Sequence, residues 1–337
     1  MDIKGSSCLV TGGAGFIGSH LVDELILRGC RVCVLDNLVN GKLENLSHHG
    51  GDSNFEFMRG SVTDPFDVER SLENIDVVFH LACLGVRHSI THPLENHRVN
   101  AEGSLLMLNA AYRSDVARFI YCSSSEVYGT AEYVPMPETH PTHPCTVYGS
   151  SKLAGEAYAR AYHKTYGMAT IIIRPFNTFG PRSHHEGDAG EMIPKSIVRA
   201  LNGTLIMVFG DGSQTRDFTY VEDTAKGLIA AAESDVMIGK TFNIGSNFEI
   251  SIKDLADNII EEVGNTSAKV EYTPERPGDV LRLWADPGKF MESCNWIPQL
   301  SFNEGLKKTI EFFRNHPSGL KGLMETESGR NWEENSG

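Results

Sequence analysis

Short apolar runs alternate with helical patterns along the first half of the chain. Each run has the length and side-chain content of a buried strand, and most intervals between runs carry apolar residues at helical spacing. This alternation predicts an α/β fold in which a doubly wound parallel sheet carries helices on both faces. The strand-like runs cover residues 8–10, 31–35, 55–58, 76–81, 117–122 and 169–174.

Two long helical patterns and a later change of pattern divide the chain. One helix is predicted from Leu94 to about Tyr112, and a second carries Tyr148 and ends near Gly167. After residue 180 the pattern breaks into loops and short elements, and from about residue 316 the chain turns polar. We therefore predict a first domain over 1–180, a smaller α/β lobe over 181–315 and a disordered tail over 316–337.

The first predicted strand runs into a glycine-rich segment, TGGAGFIGSHL (residues 11–21), followed by a helix and a second strand that ends at Asp36. Glycines at this spacing let a backbone approach a pyrophosphate, whose charge the helix N-terminus favours. Asp36 is placed to bind ribose hydroxyls and would repel a 2′-phosphate. The unit therefore predicts a dinucleotide site for NAD rather than NADP. The alternative is a glycine-rich turn that binds nothing, as in any α/β protein. It is disfavoured because the strand, the helix, the second strand and the acid follow one another at the spacing of a dinucleotide site.

A second group of residues predicts proton-transfer chemistry. Tyr148 and Lys152 lie four residues apart in a helical pattern and therefore share one face. The ammonium is expected to lower the tyrosine pKa, so that Tyr148 can take a proton from a sugar hydroxyl near neutral pH. Ser124 can hydrogen-bond the same oxygen. A chance Tyr-x-x-x-Lys pair on a surface helix is the alternative, which the dinucleotide motif disfavours.

Together these motifs resemble the extended short-chain dehydrogenase/reductase family, the NAD-dependent nucleotide-sugar epimerases and dehydratases. The resemblance covers about residues 5–315, and it implies a Rossmann-type sheet that residues 217–245 rejoin. The matching segments are TGGAGFIGSHL, LDNLVNGKLENL (35–46), VVFHLA (77–82), SSSEVYG (123–129), YGSSK (148–152), RPFNTFGPR (174–182), GDGSQTRDFTYVEDTAKG (210–227) and RPGDVLRLWAD (276–286).

The resemblance also implies which residues contact the cofactor. The implied set is Gly12, Gly15, Phe16, Ile17, Gly18, Asp36, Asn37, Asn40, Gly41, Ser61, Val62, Leu81, Ala82, Asn100, Tyr148, Lys152 and Pro175. One departure concerns the adenine. The family often has Gly-Asp-Ile or Gly-Asp-Val where this chain has Gly60-Ser61-Val62, so the usual acceptor for the adenine amino group is absent.

A shared first reaction step follows from the same resemblance. Tyr148 takes the proton of the sugar 4-hydroxyl while the C4 hydride passes to the nicotinamide. Lys152 holds the nicotinamide ribose, and Ser124 supports the 4-oxygen. The resulting 4-keto sugar then undergoes C4 epimerisation, 4,6-dehydration or, for a uronate, decarboxylation. The implied catalytic residues are Ser124, Ser125, Glu126, Tyr148 and Lys152.

These reactions differ at Ser125 and Glu126. Dehydratases of the dTDP-glucose type carry Asp-Glu at these positions, so the acid for the leaving hydroxyl is missing here. Glu126 resembles the Ser-Glu pair of UDP-glucuronate decarboxylases and of some UDP-N-acetylglucosamine dehydratases. The structural alternative is that Glu126 only begins a turn and hydrogen-bonds the backbone.

Two other segments resemble epimerases. Arg276 and Asp279 occupy the places of residues that hold the diphosphate and the uridine ribose in UDP-glucose 4-epimerases. Arg87 lies in a segment that resembles UDP-glucuronate 4-epimerases, and Arg87 or Arg182 could meet a carboxylate. Either arginine could equally be a phosphate ligand or a surface residue. The implied substrate-binding set is Arg87, Ser124, Asn177, Arg182, Arg216, Arg276 and Asp279.

Composition narrows the classes of partner. A formal net charge of −14 disfavours nucleic acid and anionic membranes as partners. No apolar run is long enough to span a membrane, and Met1 lies almost directly before the first strand, so we expect a cytoplasmic protein. The seven scattered cysteines predict reduced thiols. We expect no bound metal, and we interpret the segment from His184 to Asp188 as a solvated loop.

The sequence therefore ranks three functions. C4 epimerisation of a UDP-hexose or UDP-hexuronate comes first, and a lyase that uses Glu126 comes second. A non-catalytic NAD sensor comes third, because it need not keep Ser124, Tyr148 and Lys152. Relatives pair through two long helices, so a homodimer through residues 94–112 and 150–166 is expected. Both helices carry apolar residues beyond a single face, including Leu105, Leu106, Met107, Leu108 and Tyr158.

Overall fold

The computed structural model describes residues 1–187, 189–275 and 278–327. Within this part of the chain, seven parallel strands form one sheet in the order β10-β6-β5-β4-β1-β2-β3. The predicted doubly wound α/β class is confirmed. The strands of this sheet are β1 (Ser7–Thr11), β2 (Arg31–Asp36), β3 (Phe55–Arg59), β4 (Val77–His80), β5 (Arg118–Cys122), β6 (Thr170–Pro175) and β10 (Thr241–Ile244).

Helices cover both faces of this sheet because its central strands are mostly apolar and are buried at every position. The α-helices are α1 (Phe16–Leu27), α2 (Pro65–Ser71), α3 (Val86–Thr91), α4 (Pro93–His97), α5 (Gly103–Arg113), α6 (Val147–Tyr166), α7 (Met192–Leu201), α8 (Val221–Glu233), α9 (Ile252–Val263), α10 (Gly288–Cys294), α11 (Phe302–Arg314) and α12 (Gly319–Thr326). Short 3₁₀ turns cover Leu43–His49, Ser125–Val127 and Asp235–Met237. None of the described helices is both long and apolar enough to cross a membrane.

The two long predicted helices have different forms. The pattern over 94–112 is one helical run in three parts, because a π-helical segment, Arg98–Glu102, separates α4 from α5. By contrast, α6 is continuous. The Thr146 side chain accepts a hydrogen bond from the Gly149 N–H at its start, and Gly167 ends it with a φ of 72°.

A smaller lobe packs beside the carboxyl ends of the large sheet. Its four-stranded sheet has the order β11-β9-β13, with β7 also paired to β9, and a two-stranded sheet pairs β12 with β8. These strands are β7 (Asn177–Phe179), β8 (Leu205–Phe209), β9 (Thr215–Tyr220), β11 (Glu249–Ser251), β12 (Lys269–Thr273) and β13 (Arg282–Leu283). The chain alternates between the two sheets here, because β9 lies in the small sheet whereas β10 extends the large one beside β6.

The predicted disordered tail is wrong for residues 319–327. Residues 319–326 form α12, whose Leu323 is buried against the core of the smaller lobe. The Asn202 side-chain amide also donates to the Leu320 carbonyl at 3.1 Å. The prediction failed because it relied on the polar composition and missed a short helix with a buried leucine. Residues 328–337 lie outside the described residues.

Candidate active site

A cavity of about 470 Å³ runs along the carboxyl ends of the parallel strands, between the large sheet and the smaller lobe. This is where ligands bind in open parallel sheets, because the strand order changes direction there and helix N-termini face the crevice. The glycine-rich turn after β1 forms one end of the wall, and strands of the smaller lobe form the other.

Close backbone packing explains the glycines of the turn after β1. A Cβ atom on Gly18 would collide with the Gly12 carbonyl oxygen, and one on Gly12 would lie 2.9 Å from the Ala82 backbone. Gly12 also has a φ of 71°, which L-residues rarely adopt. The turn therefore brings bare backbone and the start of α1 to the cavity wall, an arrangement that fits a pyrophosphate.

Asp36 ends β2 with its carboxylate facing the same wall. Its two oxygens accept hydrogen bonds from the Ala14 N–H at 3.0 Å and the Leu38 N–H at 2.8 Å. Burial raises the pKa of this carboxyl, and the two backbone hydrogen bonds oppose the rise. Gly41 lies against both oxygens, because a Cβ there would be 2.7 Å from one of them. The fixed carboxylate fits the diol of a ribose.

All but one of the predicted cofactor residues line the cavity. Those that do are Gly12, Gly15, Phe16, Ile17, Gly18, Asp36, Asn37, Asn40, Gly41, Ser61, Val62, Leu81, Ala82, Tyr148, Lys152 and Pro175. Asn100 is the exception, and the prediction is corrected there. Its side chain accepts from the Leu84 N–H at 2.9 Å and donates to the Leu84 carbonyl at 2.9 Å, so it fixes the loop after β4 from within the protein.

Tyr148, Lys152 and Ser124 converge on the cavity from α6 and the end of β5. The Lys152 ammonium donates to the Cys122 carbonyl at 2.9 Å and lies 6.0 Å from the centroid of the Tyr148 ring. Ser124 is placed to hydrogen-bond the phenol of Tyr148. The structure thus brings together the hydroxyl, phenol and ammonium that the sequence motif predicted.

The predicted direction of the Tyr148 pKa is wrong for this structure. Burial raises the pKa of Tyr148, and the nearby Cys83 thiol raises it further, whereas Lys152 and Ser124 lower it by less. The pKa of Lys152 is itself raised: burial alone would lower it, but Cys83, Tyr121 and Tyr148 together outweigh that effect. The prediction took account of the nearby ammonium, which lowers the pKa, but not of burial, which removes the phenol from water and raises it.

Ser125 and Glu126 follow Ser124 in a 3₁₀ turn beside the cavity. The Glu126 N–H donates to the Ser124 hydroxyl oxygen at 3.2 Å, so this turn also orients Ser124. A Cβ on Gly149 would lie 2.6 Å from the Glu126 carbonyl, so glycine there lets the start of α6 approach the turn. Ser124, Ser125 and Glu126 all line the cavity. Glu126 therefore lies in a turn, as the structural alternative expected, and it also lines the cavity.

Four of the remaining predicted substrate residues also line the cavity. Arg216 and Asp279 pair there, with a guanidinium nitrogen 2.8 Å from the carboxylate. Asn177 presents a buried side-chain oxygen without a hydrogen-bond partner among the described residues, as expected where a ligand completes the bonding. Arg87 reaches the wall from α3. Arg276 lies outside the described residues.

Arg182 does not contact the cavity, and its assignment to the substrate is corrected. Its guanidinium lies 2.8 Å from Asp23 on α1, and the other oxygen of that carboxylate lies 2.8 Å from His48 and 2.7 Å from His49. The Arg182 backbone has a φ of 64°, in the left-handed region. The sequence placed it correctly in a motif but gave no signal for this direction.

Comparison with known proteins identifies the family of the chain. Residues 9–309 match the family model described as GDP-mannose 4,6 dehydratase. The chain belongs to the nucleotide-sugar epimerase and dehydratase family. It is 38% identical to UDP-glucuronic acid decarboxylase 1 of Arabidopsis thaliana over 313 residues. This alignment covers 91% of this chain and 69% of that protein.

Two further relatives of this family have epimerase names. UDP-glucose 4-epimerase of Mycolicibacterium smegmatis is 37% identical over 311 residues, 91% of this chain and 98% of that protein. A crystal structure of UDP-glucuronic acid 4-epimerase from Bacillus cereus, in complex with UDP-glucuronic acid and NAD, has a TM-score of 0.85 and 31% identity. It covers 91% of this chain and 98% of that chain. Relatives of similar identity therefore carry out two different reactions.

Family motifs did not reveal a charged part of the cavity wall. Lys195 and Arg199 lie one turn apart on α7, and Glu191 precedes that helix; all three line the cavity. Burial raises the pKa of Glu191 to about 7, which His184 and Arg87 oppose. The sequence carries only a weak signal for this part of the wall, the four-residue spacing of Lys195 and Arg199, which is also common on solvent-exposed helices.

The predicted solvated loop around His184 is wrong for the described part of that segment. His185 is buried, with one ring nitrogen 2.8 Å from Glu186 and the other 3.1 Å from the Thr326 hydroxyl. Glu186 also pairs with Lys42, and His184 lines the cavity. This loop therefore joins the segment after β2 to the C-terminal helix through the Lys42–Glu186 ion pair and the His185–Thr326 hydrogen bond. Asp188 lies outside the described residues.

A buried ion pair under the cavity fixes the helix that carries Tyr148. Glu156 on α6 is fully buried and lies 2.6 Å from the Arg174 guanidinium of β6. The Ser123 hydroxyl donates to the same carboxylate at 2.7 Å. Arg174 also donates to the Tyr128 hydroxyl, which in turn donates to Asn243. The network links α6 to β5, β6 and β10 beneath the catalytic candidates.

Proposed function

We propose that this protein is an NAD-dependent nucleotide-sugar 4-epimerase that acts on a UDP-hexose or UDP-hexuronate through a transient 4-keto sugar. The observation that carries the proposal is one cavity with three sets of groups. The glycine-rich turn and Asp36 line one part, Ser124, Tyr148 and Lys152 line the middle, and Arg216 with Asp279 line the far part. Two relatives of similar fold and sequence are named as 4-epimerases.

The wall near the turn after β1 fits NAD. Gly12 and Gly18 leave no room for a Cβ, so backbone N–H groups at the start of α1 can reach a pyrophosphate. Asp36 would bind the adenosine ribose, and Lys152 the nicotinamide ribose. The bound NAD would supply reversible hydride transfer at C4 of the sugar.

Each proposed catalytic residue has a role that follows from its position. Tyr148 would exchange a proton with the sugar 4-hydroxyl. Ser124 lies within hydrogen-bond reach of the Tyr148 phenol and would hold the same 4-oxygen. The Lys152 ammonium, 6.0 Å from the tyrosine ring centroid, favours the phenolate electrostatically. Asn177 and Arg216 would bind the phosphates or the sugar. An epimerase needs no further acid or base, because the hydride returns to the opposite face of C4.

A lyase is the second candidate, and Glu126 is the observation that favours it. This carboxylate lines the cavity two residues after Ser124. A decarboxylase is supported further by the 38% identity to UDP-glucuronic acid decarboxylase 1. Elimination of a hydroxyl is less favoured, because Ser125 stands where a dehydratase would carry the acid. Decarboxylation needs no such acid, and so it is the closer competitor.

The product of the reaction tests this proposal directly. The dinucleotide released from denatured protein should be NAD, and NADP at similar occupancy would contradict the role of Asp36. The protein is then incubated with UDP-, dTDP- and GDP-sugars and uronates in D₂O, and products are identified by mass spectrometry and NMR. Epimerisation keeps the mass and leaves C5 without deuterium. Dehydration or decarboxylation changes the mass and places solvent deuterium at C5. Tight NAD binding without any product would instead support a sensor.

Glu126→Gln should separate the two leading functions. In an epimerase no proton leaves C5, so this variant should lose less than about tenfold in rate and form the same product. In a lyase Glu126 would be a base for C5 in an elimination or an electrostatic partner at C5 or C6 in a decarboxylation, so its loss should stall the reaction after C4 oxidation. Rate and product identity are measured together by NMR, with Glu132→Gln, which is exposed, as the control. A loss of about 100-fold or more would contradict the epimerase assignment.

We also propose that the protein is a homodimer that pairs through α5 and α6. Leu105, Tyr112 and Tyr166 are 39%, 41% and 51% exposed on these helices, although Met107 and Leu108 are fully buried and belong to the core of their own domain. Light scattering at micromolar concentration should give the mass of two chains, and Leu105→Asp should give one chain because it places a charge in the interface. A monomeric wild-type protein would reject the pairing.

A further inference from the structure

The C-terminal strap, residues 319–327, lies behind the cavity wall and beyond residues 9–309, which match the family model. It consists of α12 and Glu327, and it packs along α7. Leu323 anchors it in the core of the smaller lobe. The Asn202 side chain at the end of α7 donates to the Leu320 carbonyl at 3.1 Å. The strap is therefore held along its length rather than at one point.

The end of the strap delivers a buried carboxylate. The backbone of Glu327 pairs with that of Glu186, so both residues are fixed in direction. The Glu327 side chain is 1% exposed, and one oxygen lies 2.7 Å from the Arg199 guanidinium. Its other oxygen lies 3.5 Å from the Lys195 ammonium. One carboxylate thus holds two cations.

Those two cations face the cavity while the carboxylate does not. Lys195 and Arg199 are four residues apart on α7 and share one face, and both line the cavity. Glu327 is not among the lining residues, so it holds the cations from behind. Arg199 is fixed further because it donates to the Leu205 carbonyl at 2.9 Å. Preorganised cations at a cavity wall are a common means of binding phosphate or carboxylate oxygens.

The charge balance also favours an anion in front of this pair. Arg87 from α3 also lines the cavity and influences the pKa values of Lys195 and Glu191, so this part of the wall carries three cations. Opposing them are Glu327 and Glu191, and the latter has a pKa raised to about 7 by burial. It is therefore partly neutral at physiological pH, and the cluster has excess positive charge toward the cavity.

We propose that Lys195 and Arg199 form an oxyanion subsite of the cavity, and that Glu327 of the strap is the residue that positions them. The inference rests on the proposed function, because a nucleotide sugar supplies the oxyanion. Its source is either the diphosphate or the C6 carboxylate of a uronate, which share the same charged oxygens. The subsite would thus contribute to substrate choice through a segment outside the family match.

Ligand affinity with matched variants tests the subsite. Binding of UDP, UDP-glucose and UDP-glucuronate is measured by calorimetry for the wild type, Glu327→Gln, Glu327→Asp and Glu325→Gln. Glu325 is exposed on the same helix and provides the same change of charge. We expect Glu327→Gln to weaken binding by about 5- to 10-fold, Glu327→Asp to restore part of it, and the control to match the wild type. Weakening of all three ligands identifies the diphosphate, and weakening of UDP-glucuronate alone identifies the carboxylate.

The pH dependence of binding separates positioning from a general structural effect. Burial lowers the pKa of Lys195 to about 8, with Arg87 and Arg199 acting in the same direction and Glu327 against it. Only the protonated amine attracts an oxyanion, so affinity for UDP-glucose should be full below this pKa and fall as the pH rises through it. Loss of Glu327 lowers the pKa of Lys195 further, so Glu327→Gln should lose affinity at a lower pH. A structural defect alone would not move that midpoint.

The outcomes are separable. Thermal unfolding shows whether Glu327→Gln is folded. If it is not, Lys195→Gln takes its place and should lower the affinity for the same ligands. If the folded variant shows unchanged affinities and an unchanged midpoint of the pH dependence, the oxyanion subsite is overturned while the proposed function stands. A wild-type protein that binds none of the three ligands would reject the proposed function and the inference with it.

Discussion

Tyr148→Phe is expected to lower turnover by at least about 100-fold, because it keeps the ring and removes the group that exchanges the proton. Nucleotide-sugar affinity should change little, since the phenol contributes one hydrogen bond at the middle of a long cavity. Initial rates by NMR and affinity by calorimetry, measured on the same preparation, give both quantities. The variant should fold normally because it keeps the aromatic ring of Tyr148 and removes only the hydroxyl.

The pH dependence of the wild-type rate offers an independent check on Tyr148. Because its pKa is raised in this structure, the phenolate is the minor form at neutral pH. The step that needs the base should therefore accelerate as the pH rises. Tyr158→Phe, on the same helix and outside the cavity, is the matched control and should keep the wild-type rate and profile. A Tyr148→Phe variant that retains more than about a tenth of the wild-type rate would contradict general acid–base catalysis by this residue.

The sequence predicted the large sheet and the dinucleotide wall well because both depend on local signals. Strand runs such as Val77–His80 are short, apolar and bounded by polar turns, so their positions follow from periodicity alone. The glycines before α1 and Asp36 have fixed spacing, and the contacts that need them are made within one βαβ unit. Tyr148, Lys152 and Ser124 were found through motif spacing, and the fold then brings them together.

The remaining features depend on contacts between residues distant in sequence. Arg182 points to Asp23, which lies more than a hundred residues earlier, and no local pattern encodes that choice. Glu327 contacts Lys195 and Arg199, which also lie more than a hundred residues earlier. The Tyr148 pKa depends on burial, which a sequence motif does not report. Asn100 was placed by analogy in the cavity, although its amide is satisfied by Leu84.

Glu156→Gln is expected to reduce the free energy of unfolding by about 3 kcal/mol or more, because it leaves a buried guanidinium without its carboxylate. The Arg174 side chain is 5% exposed and Glu156 is fully buried, so water cannot replace the lost charge. Urea unfolding followed by circular dichroism measures the change. Glu262→Gln is the control, because that carboxylate is 37% exposed in a 3.8 Å pair with Lys307 and should contribute less than about 1 kcal/mol.

The pH dependence of this stability difference has a definite sign. Burial alone would raise the pKa of Glu156, but the hydrogen bonds and the charge of Arg174, with Ser123 and Arg160, lower it below its ordinary value of 4.5. A carboxyl with a depressed folded-state pKa stabilises the protein above its unfolded-state pKa and loses that contribution as the pH falls through the folded-state value. The gap between wild type and Glu156→Gln should therefore be largest near pH 7 and narrow in acid. A gap that stays constant from pH 7 down to acid unfolding would mean that the variant acts through packing, and that the ion pair is not what fixes α6 beneath Tyr148.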